Sequence, residues 1–293
     1  MTFPDNDRMA PRYYRTGLRH RRLFVVVAVL LGVAGIGTAM AVDLGGKPDD
    51  QPFVCTVTSG TTTYTLLPEQ MANAATISSE ATKAGLVDHA VTVALATALQ
   101  ESKLRNLSYG DLDSIGLFQQ RPSQGWGTPE QLMQPSYAAA AFYRALAKIP
   151  DWATLDVAVA AQRVQRSADG SAYVRWENEA RALATALTGQ KAAGVACSGG
   201  QATFRDSAAA VAAKATAALG SDAFAAGVPA ATGWRTAAYL VANTGTEGIT
   251  SVSYAGQTWT LARGTWRADG AAGSQVTFTV ARTPAVPATS AAQ

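Results

Sequence analysis

The chain has 293 residues and few of the side chains used in nucleophilic or metal chemistry. It carries two histidines, His20 and His89, and two cysteines, Cys55 and Cys197. Past the basic N-terminal stretch only His89 is left, so a Ser-His-Asp triad would have to be built on it. His89 lies in an apolar helical pattern three turns before Glu101, where a packing role is expected. Thiolates and imidazoles are too few for a metal cluster, and neither a metal nor a cofactor is expected. No glycine-rich phosphate loop follows a strand pattern. Charged residues make up only 15% of the chain, and its net charge of +3 is gathered at one end. Six arginines within residues 1–22 face only Asp5 and Asp7, which leaves the remaining chain close to neutral. That distribution argues against a nucleic-acid partner.

What is present begins with Leu23 to Val42, twenty residues without a charge. At about 1.5 Å per residue such a helix matches the hydrocarbon thickness of a bilayer. The arginines before it hold the N-terminus in the cytoplasm by the positive-inside rule. Residues 1–22 therefore read as a cytoplasmic leader and 23–42 as a transmembrane signal-anchor in the cytoplasmic membrane, with the body outside the cell. The alternative is a secreted protein, cleaved near Ala41 at the small-residue run Ala39-Met40-Ala41. In either case the compartment is oxidising, and the pair Cys55 and Cys197 is expected to form a disulfide. Closing a loop of about 140 residues contributes about 5 kcal/mol by chain entropy.

Residues 43–66 begin polar, with Gly and Pro, and read as a tether. Residues 67–188 carry helical patterns at 68–85, 85–102, 128–149, 154–167 and 172–189. Between them, 104–127 is rich in turn formers yet keeps Leu107, Ile115, Phe118 and Trp126, the composition of an ordered functional segment. Residues 189–203 read as a linker, and 204–282 as a small α+β domain with a hairpin turn at Ala255-Gly256. The Pro-, Ala- and Ser-rich tail, 283–293, reads as disordered. The expected fold is mainly α: a helical catalytic domain after the membrane segment, followed by the small α+β domain. Trp234, Trp259 and Trp266 in that last domain are expected to be core rather than a sugar-binding face.

The remaining toolkit is carboxylates, amides, hydroxyls and aromatics, which is the toolkit of carbohydrate chemistry. A glycosidic oxygen must be protonated as it leaves, and a carboxylic acid with a raised pKa can do this. Glu101 ends a helix whose residues from Ala90 to Leu99 are aliphatic or small. Burial and the helix C-terminus both favour the protonated form there.

"ALQESKLRN" (98–106) followed by "SIGLFQQRPSQGWG" (114–127) resembles the lysozyme-like and soluble lytic transglycosylase superfamily. Those enzymes place a catalytic Glu, followed by Ser, at the end of a buried helix, with a Gly-Leu-Met-Gln segment about fifteen residues on. The matching positions are Glu101, Ser102 and Gly116-Leu117-Phe118-Gln119, and "MQPSYAAAAFYRAL" (133–146) resembles the next helix. The stretch "GLFQQRPSQGWGTPEQL" is similar in particular to exported actinobacterial cell-wall proteins with this domain. The resemblance spans roughly residues 68–188.

It implies cleavage of the β-1,4 bond between N-acetylmuramic acid and N-acetylglucosamine in peptidoglycan glycan strands, the expected partner. Glu101 would protonate the leaving oxygen. In the lytic route it then takes the proton of the muramyl 6-hydroxyl, giving a 1,6-anhydro sugar. In the hydrolytic route a second carboxylate handles water. Asp111 and Asp113 are the candidates for that role, or simply turn formers in Gly110-Asp111-Leu112-Asp113. Asp113 has a spacing similar to an acid of goose-type lysozymes, whose further Asp would fall near Arg121. The Tyr-Asn pair that transglycosylases carry in a later helix is absent, and "VAAQRVQRSADG" (159–170) stands in its place. Ser102, Gly116, Gln162 and Gln165 are therefore carried as substrate-side positions, together with Tyr109, Gln119, Gln120, Arg121 and Trp126 on the irregular segment. Arg121 faces either muramyl-peptide carboxylates or Asp113, and Trp126 either stacks on sugar or packs. The competing expectation is a cell-wall-binding protein that keeps the fold without turnover.

Overall fold

The computed structural model describes residues 52–86, 88–166, 170–203, 205–270 and 273–282. The leader at 1–22, the apolar stretch at 23–42, the start of the tether and the tail at 283–293 lie outside those residues. Among the described residues, no helix is long and apolar enough to cross a membrane.

Helix α2 (Asp88–Ser102) occupies the centre of the helical part. All ten residues from Ala90 to Leu99 are buried, and a helix apolar on every side has no face to offer solvent. Its two threonines there return their hydroxyls to the chain, Thr92 to the Asp88 carbonyl at 3.1 Å and Thr97 to that of Val93 at 2.8 Å. Around α2 pack α1 (Pro68–Lys83), α4 (Pro135–Leu146), α5 (Val157–Gln165), α6 (Ser171–Val174) and α7 (Glu177–Leu187). The one-turn α3 (Pro129–Leu132) leads into α4. Alanine dominates the facing surfaces: Ala74 and Ala75 on α1, Ala138 and Ala139 on α4, Ala180 and Ala184 on α7 are all buried.

Two antiparallel sheets complete the molecule. The first has the order β2-β1-β3, with β1 (Val54–Ser59), β2 (Thr62–Leu66) and β3 (Val195–Ser198). Cys55 stands opposite Cys197 in its register, and the two form the expected disulfide. Helices α8 (Ala208–Leu219), α9 (Ala230–Ala242) and α10 (Thr244–Glu247) follow. The second sheet, ordered β6-β5-β4-β7, is built from β4 (Ile249–Tyr254), β5 (Gln257–Thr260), β6 (Thr265–Ala268) and β7 (Thr277–Val280). The Ala255-Gly256 turn joins β4 to β5 as expected.

The mainly α expectation is corrected. The fold is mixed α/β, 47% helix and 17% strand, with strands at both ends of the described chain. The stretch read as a tether carries β1 and β2, and the stretch read as a linker carries β3. A four-residue strand has little pattern of its own, and β3 finds its partner 142 residues earlier in the chain. The C-terminal sheet packs on that strand: the Trp259 and Trp266 indoles donate to the Cys197 and Val195 carbonyls at 3.1 and 2.8 Å. Trp259 is fully buried, and Trp234 sits edge-on to both Tyr254 and Trp266. Helix α9 meets α7, β3 and β4, so the sheets and the helical part share one core.

Candidate active site around Glu101

Helix α2 stops because Lys103 and Leu104 both take left-handed backbone angles, φ 56° and 59°. Their amides return to the Leu99 and Ala98 carbonyls at 3.2 and 3.1 Å, and Leu104 is fully buried. From α1, Gln70 and Asn73 donate to the carbonyls of Lys103 and Leu104 at 2.7 and 2.8 Å. These bonds fix the last turn of α2 in direction.

Glu101 sits in that turn, half-buried. Its Oε1 accepts a 2.9 Å hydrogen bond from the Tyr173 hydroxyl. Tyr173, on α6, is 1% exposed. Beside it, Gln100 Oε1 accepts from Trp176 Nε1 at 2.8 Å and from Arg175 at 2.9 Å, which ties the end of α2 to the α6–α7 junction. The Lys103 ammonium lies 4.2 Å from the centre of the Trp176 ring. Desolvation, and then the Arg175 cation, push Lys103 below its ordinary value, while the Glu101 and Glu179 carboxylates oppose them. Burial pushes the Glu179 carboxyl up, opposed by Lys103.

Ser102 is buried, and its hydroxyl lies 2.7 Å from the Leu117 carbonyl and 3.1 Å from that of Ala98. It ties the helix end to the Gly116–Gln119 turn. Gly116 takes φ 79°, and a Cβ there would stand 2.5 Å from the Leu132 carbonyl oxygen, so this turn needs glycine. Gln119 is itself left-handed at φ 46°, and its amide nitrogen lies 3.3 Å from both the Tyr109 and Gly116 carbonyls. Gln120 is 2% exposed and donates inward to the Ala138 carbonyl at 3.3 Å. Gln165 donates to the Phe118 carbonyl at 2.8 Å. Two carbonyls of the turn are therefore held, one from α2 and one from α5.

Asp113 is an anchor. Its carboxylate accepts from Arg121 Nε at 2.6 Å, from the Ser123 amide at 2.8 Å and from the Ser123 hydroxyl at 3.0 Å. Arg121, and then Ser123, hold the Asp113 carboxyl well below the usual carboxylate range. Of the two partners expected for Arg121, the structure pairs it with Asp113. Asp111 is exposed, and its carbonyl accepts from the Ser114 amide at 3.0 Å, closing a turn. Tyr109 is 71% exposed and borders a groove of about 410 Å³ with Asp113 and Ile115.

The other expected residues part ways. Trp126 is half-buried and, with Gln165, lines a cleft of about 560 Å³ between α4 and α5. Gln162 lines a different cleft with Gly170, Ser171 and Glu177. Glu101 lines neither of these, nor the groove beside Tyr109. His89 packs parallel to the Trp152 ring at 6.3 Å. Among the described residues, no group of three or more His, Cys, Asp or Glu could hold a metal ion.

Sequence reasoning missed Tyr173. Its 72-residue separation from Glu101 leaves no local pattern. The usable signal was its place, three residues beyond the stretch that stands where transglycosylases carry Tyr-Asn. Reading 172–189 as one helix concealed it; the chain breaks at Arg175-Trp176 into α6 and α7, and the short α6 carries Tyr173 to the end of α2. Compared with known proteins, the chain matches no protein-family model and no curated protein.

Proposed function

We propose that the protein cleaves the β-1,4 glycosidic bond of peptidoglycan strands outside the cytoplasm, with Glu101 as the acid and then the base. The observation that carries this reading is the Glu101 carboxylate, half-buried at the end of the buried helix α2 and met by the Tyr173 hydroxyl at 2.9 Å. A carboxyl whose direction is fixed by a buried hydroxyl at the end of a rigid helix is placed to exchange a proton with a leaving sugar oxygen. Transfer of its proton breaks the bond to C1 of the muramyl residue. The resulting carboxylate takes the proton of the 6-hydroxyl as that oxygen closes on C1. Protons balance over the cycle, and no water is consumed.

The lytic route is favoured over hydrolysis because Asp113, the foremost second carboxylate, is already held by Arg121 and Ser123. The disulfide Cys55–Cys197 agrees with an oxidising compartment. The test is turnover of purified glycan strands by the wild type and by Glu101→Gln, a near-isosteric change that removes the transferable proton. Turnover should fall by about 10²–10⁴-fold, the usual contribution of a positioned acid. A second reading, wall binding without turnover, draws on one observation: Glu101 does not line the clefts beside Trp126, Tyr109 and Gln162. It is the correct one if both proteins bind the strands and leave them intact.

A further inference from the structure

We infer that the cleft between α4 and α5 is a receptor for carboxylates on the peptide stems of the glycan strand. This deepens the reading above and rests on it. The cleft has a volume of about 560 Å³, within the range of ligand sites. Helical spacing puts Tyr137, Ala141, Arg144 and Lys148 along one side of it, at and just beyond α4. The end of α5 supplies Arg163 and Arg166 on the other side. Four cations therefore line one cleft, and among the described residues no aspartate or glutamate lines it. Among the described residues none of the four takes part in an ion pair. All four are exposed. The Arg144 guanidinium lies over the Tyr137 ring at 5.5 Å, which holds its planar fork in place.

A chain that is nearly neutral beyond its leader has here gathered four positive charges in one concave surface. Such a surface concentrates anions and orients carboxylates through paired N–H donors. The cleft is connected to the end of α2 through the Gly116–Gln119 turn. Gln165 lines it and donates to the Phe118 carbonyl, and the same turn is tied to the end of α2 through Ser102 and Leu117. The muramyl sugar that Glu101 would act on carries a peptide through its lactyl ether, and that peptide bears free carboxylates. An anion attached to the substrate itself is thus the occupant that fits the charge of a cleft tied to the end of α2.

The test measures binding, so that it stands apart from turnover. Full-length Glu101→Gln is titrated with three probes: strands with intact peptides, the same strands with their carboxylates converted to amides, and a soluble polyglycerol phosphate. Intact strands are expected to bind several-fold more tightly than amidated ones, in a salt-sensitive way. Adding Lys148→Gln and Arg166→Gln, both at exposed positions, should weaken binding of intact strands about fivefold and leave amidated strands unchanged, given the usual worth of two exposed charge pairs. Equal binding of intact and amidated strands overturns the inference. So does tighter binding of the phosphate polymer than of intact strands. If the wild type leaves strands uncut while the carboxylate preference persists, the receptor stands and the cleavage reading fails.

Discussion

The Tyr173 hydroxyl fixes which way the Glu101 carboxylate faces. Tyr173→Phe keeps the buried ring and removes only that donor, at a cost of about 1 kcal/mol in stability. Turnover of strands is expected to fall about tenfold with KM unchanged, the signature of an interaction used in the reacting state; a shift in KM with turnover intact would make the contact a binding one. Asp113 bears on stability through pH. Held low in the fold, it adds stability at pH above its ordinary value of about 4, and that stability is lost as pH falls towards the lower folded value. The difference in melting temperature between wild type and Asp113→Asn should therefore be present at pH 7 and shrink below pH about 4. A difference constant across that range would contradict the Arg121–Asp113–Ser123 arrangement. At this scale the sequence exposes residue type but not direction. Glu101 was legible because its position in an apolar run is local. That Ser102 and Gln120 turn inward to the Leu117 and Ala138 carbonyls was not legible, because nothing in the chain tells which carbonyl a side chain will meet.

Among the elements, the helices were the most legible, since apolar spacing at three and four residues reports a buried face directly. The burial of α2 follows from Ala90 to Leu99 alone. Strands β1 and β3 were hidden for the opposite reason: short runs such as Val195–Ser198 become strands only when a distant partner arrives. The Gly116–Gln119 turn lies between these extremes. Its glycine could be read from the resemblance, but the requirement for it comes from the Leu132 carbonyl, which belongs to α3. Gly116→Ala forces both a left-handed alanine and a collision with that oxygen. A loss of about 2 kcal/mol or more is expected in chemical denaturation. A change below about 0.5 kcal/mol would show that the turn is not clamped against α3.

At the scale of the whole molecule, the C-terminal helices and sheet share a core with the helical part among the described residues. Trp259 and Trp266 bond to β3, and α9 spans from α7 to β4. A chain ending at residue 203 would bare those faces of β3 and α7. It is expected to lose cooperative unfolding by circular dichroism; a sharp native-like transition would refute the shared core. The disulfide belongs to the same logic, since it locks β1 to β3 where the two ends of the helical part meet. That core holds α2, and α2 presents the carboxyl on which the proposed chemistry would depend. Mass spectrometry of glycan strands incubated with the wild type and with Glu101→Gln examines that dependence most directly. The wild type should release muramyl ends about 20 Da lighter than reduced muramic acid, as a 1,6-anhydro end lacks one water and cannot be reduced, and Glu101→Gln should release almost none. Hydrated ends from the wild type, or equal release by the two proteins, would contradict a lytic reaction run by Glu101.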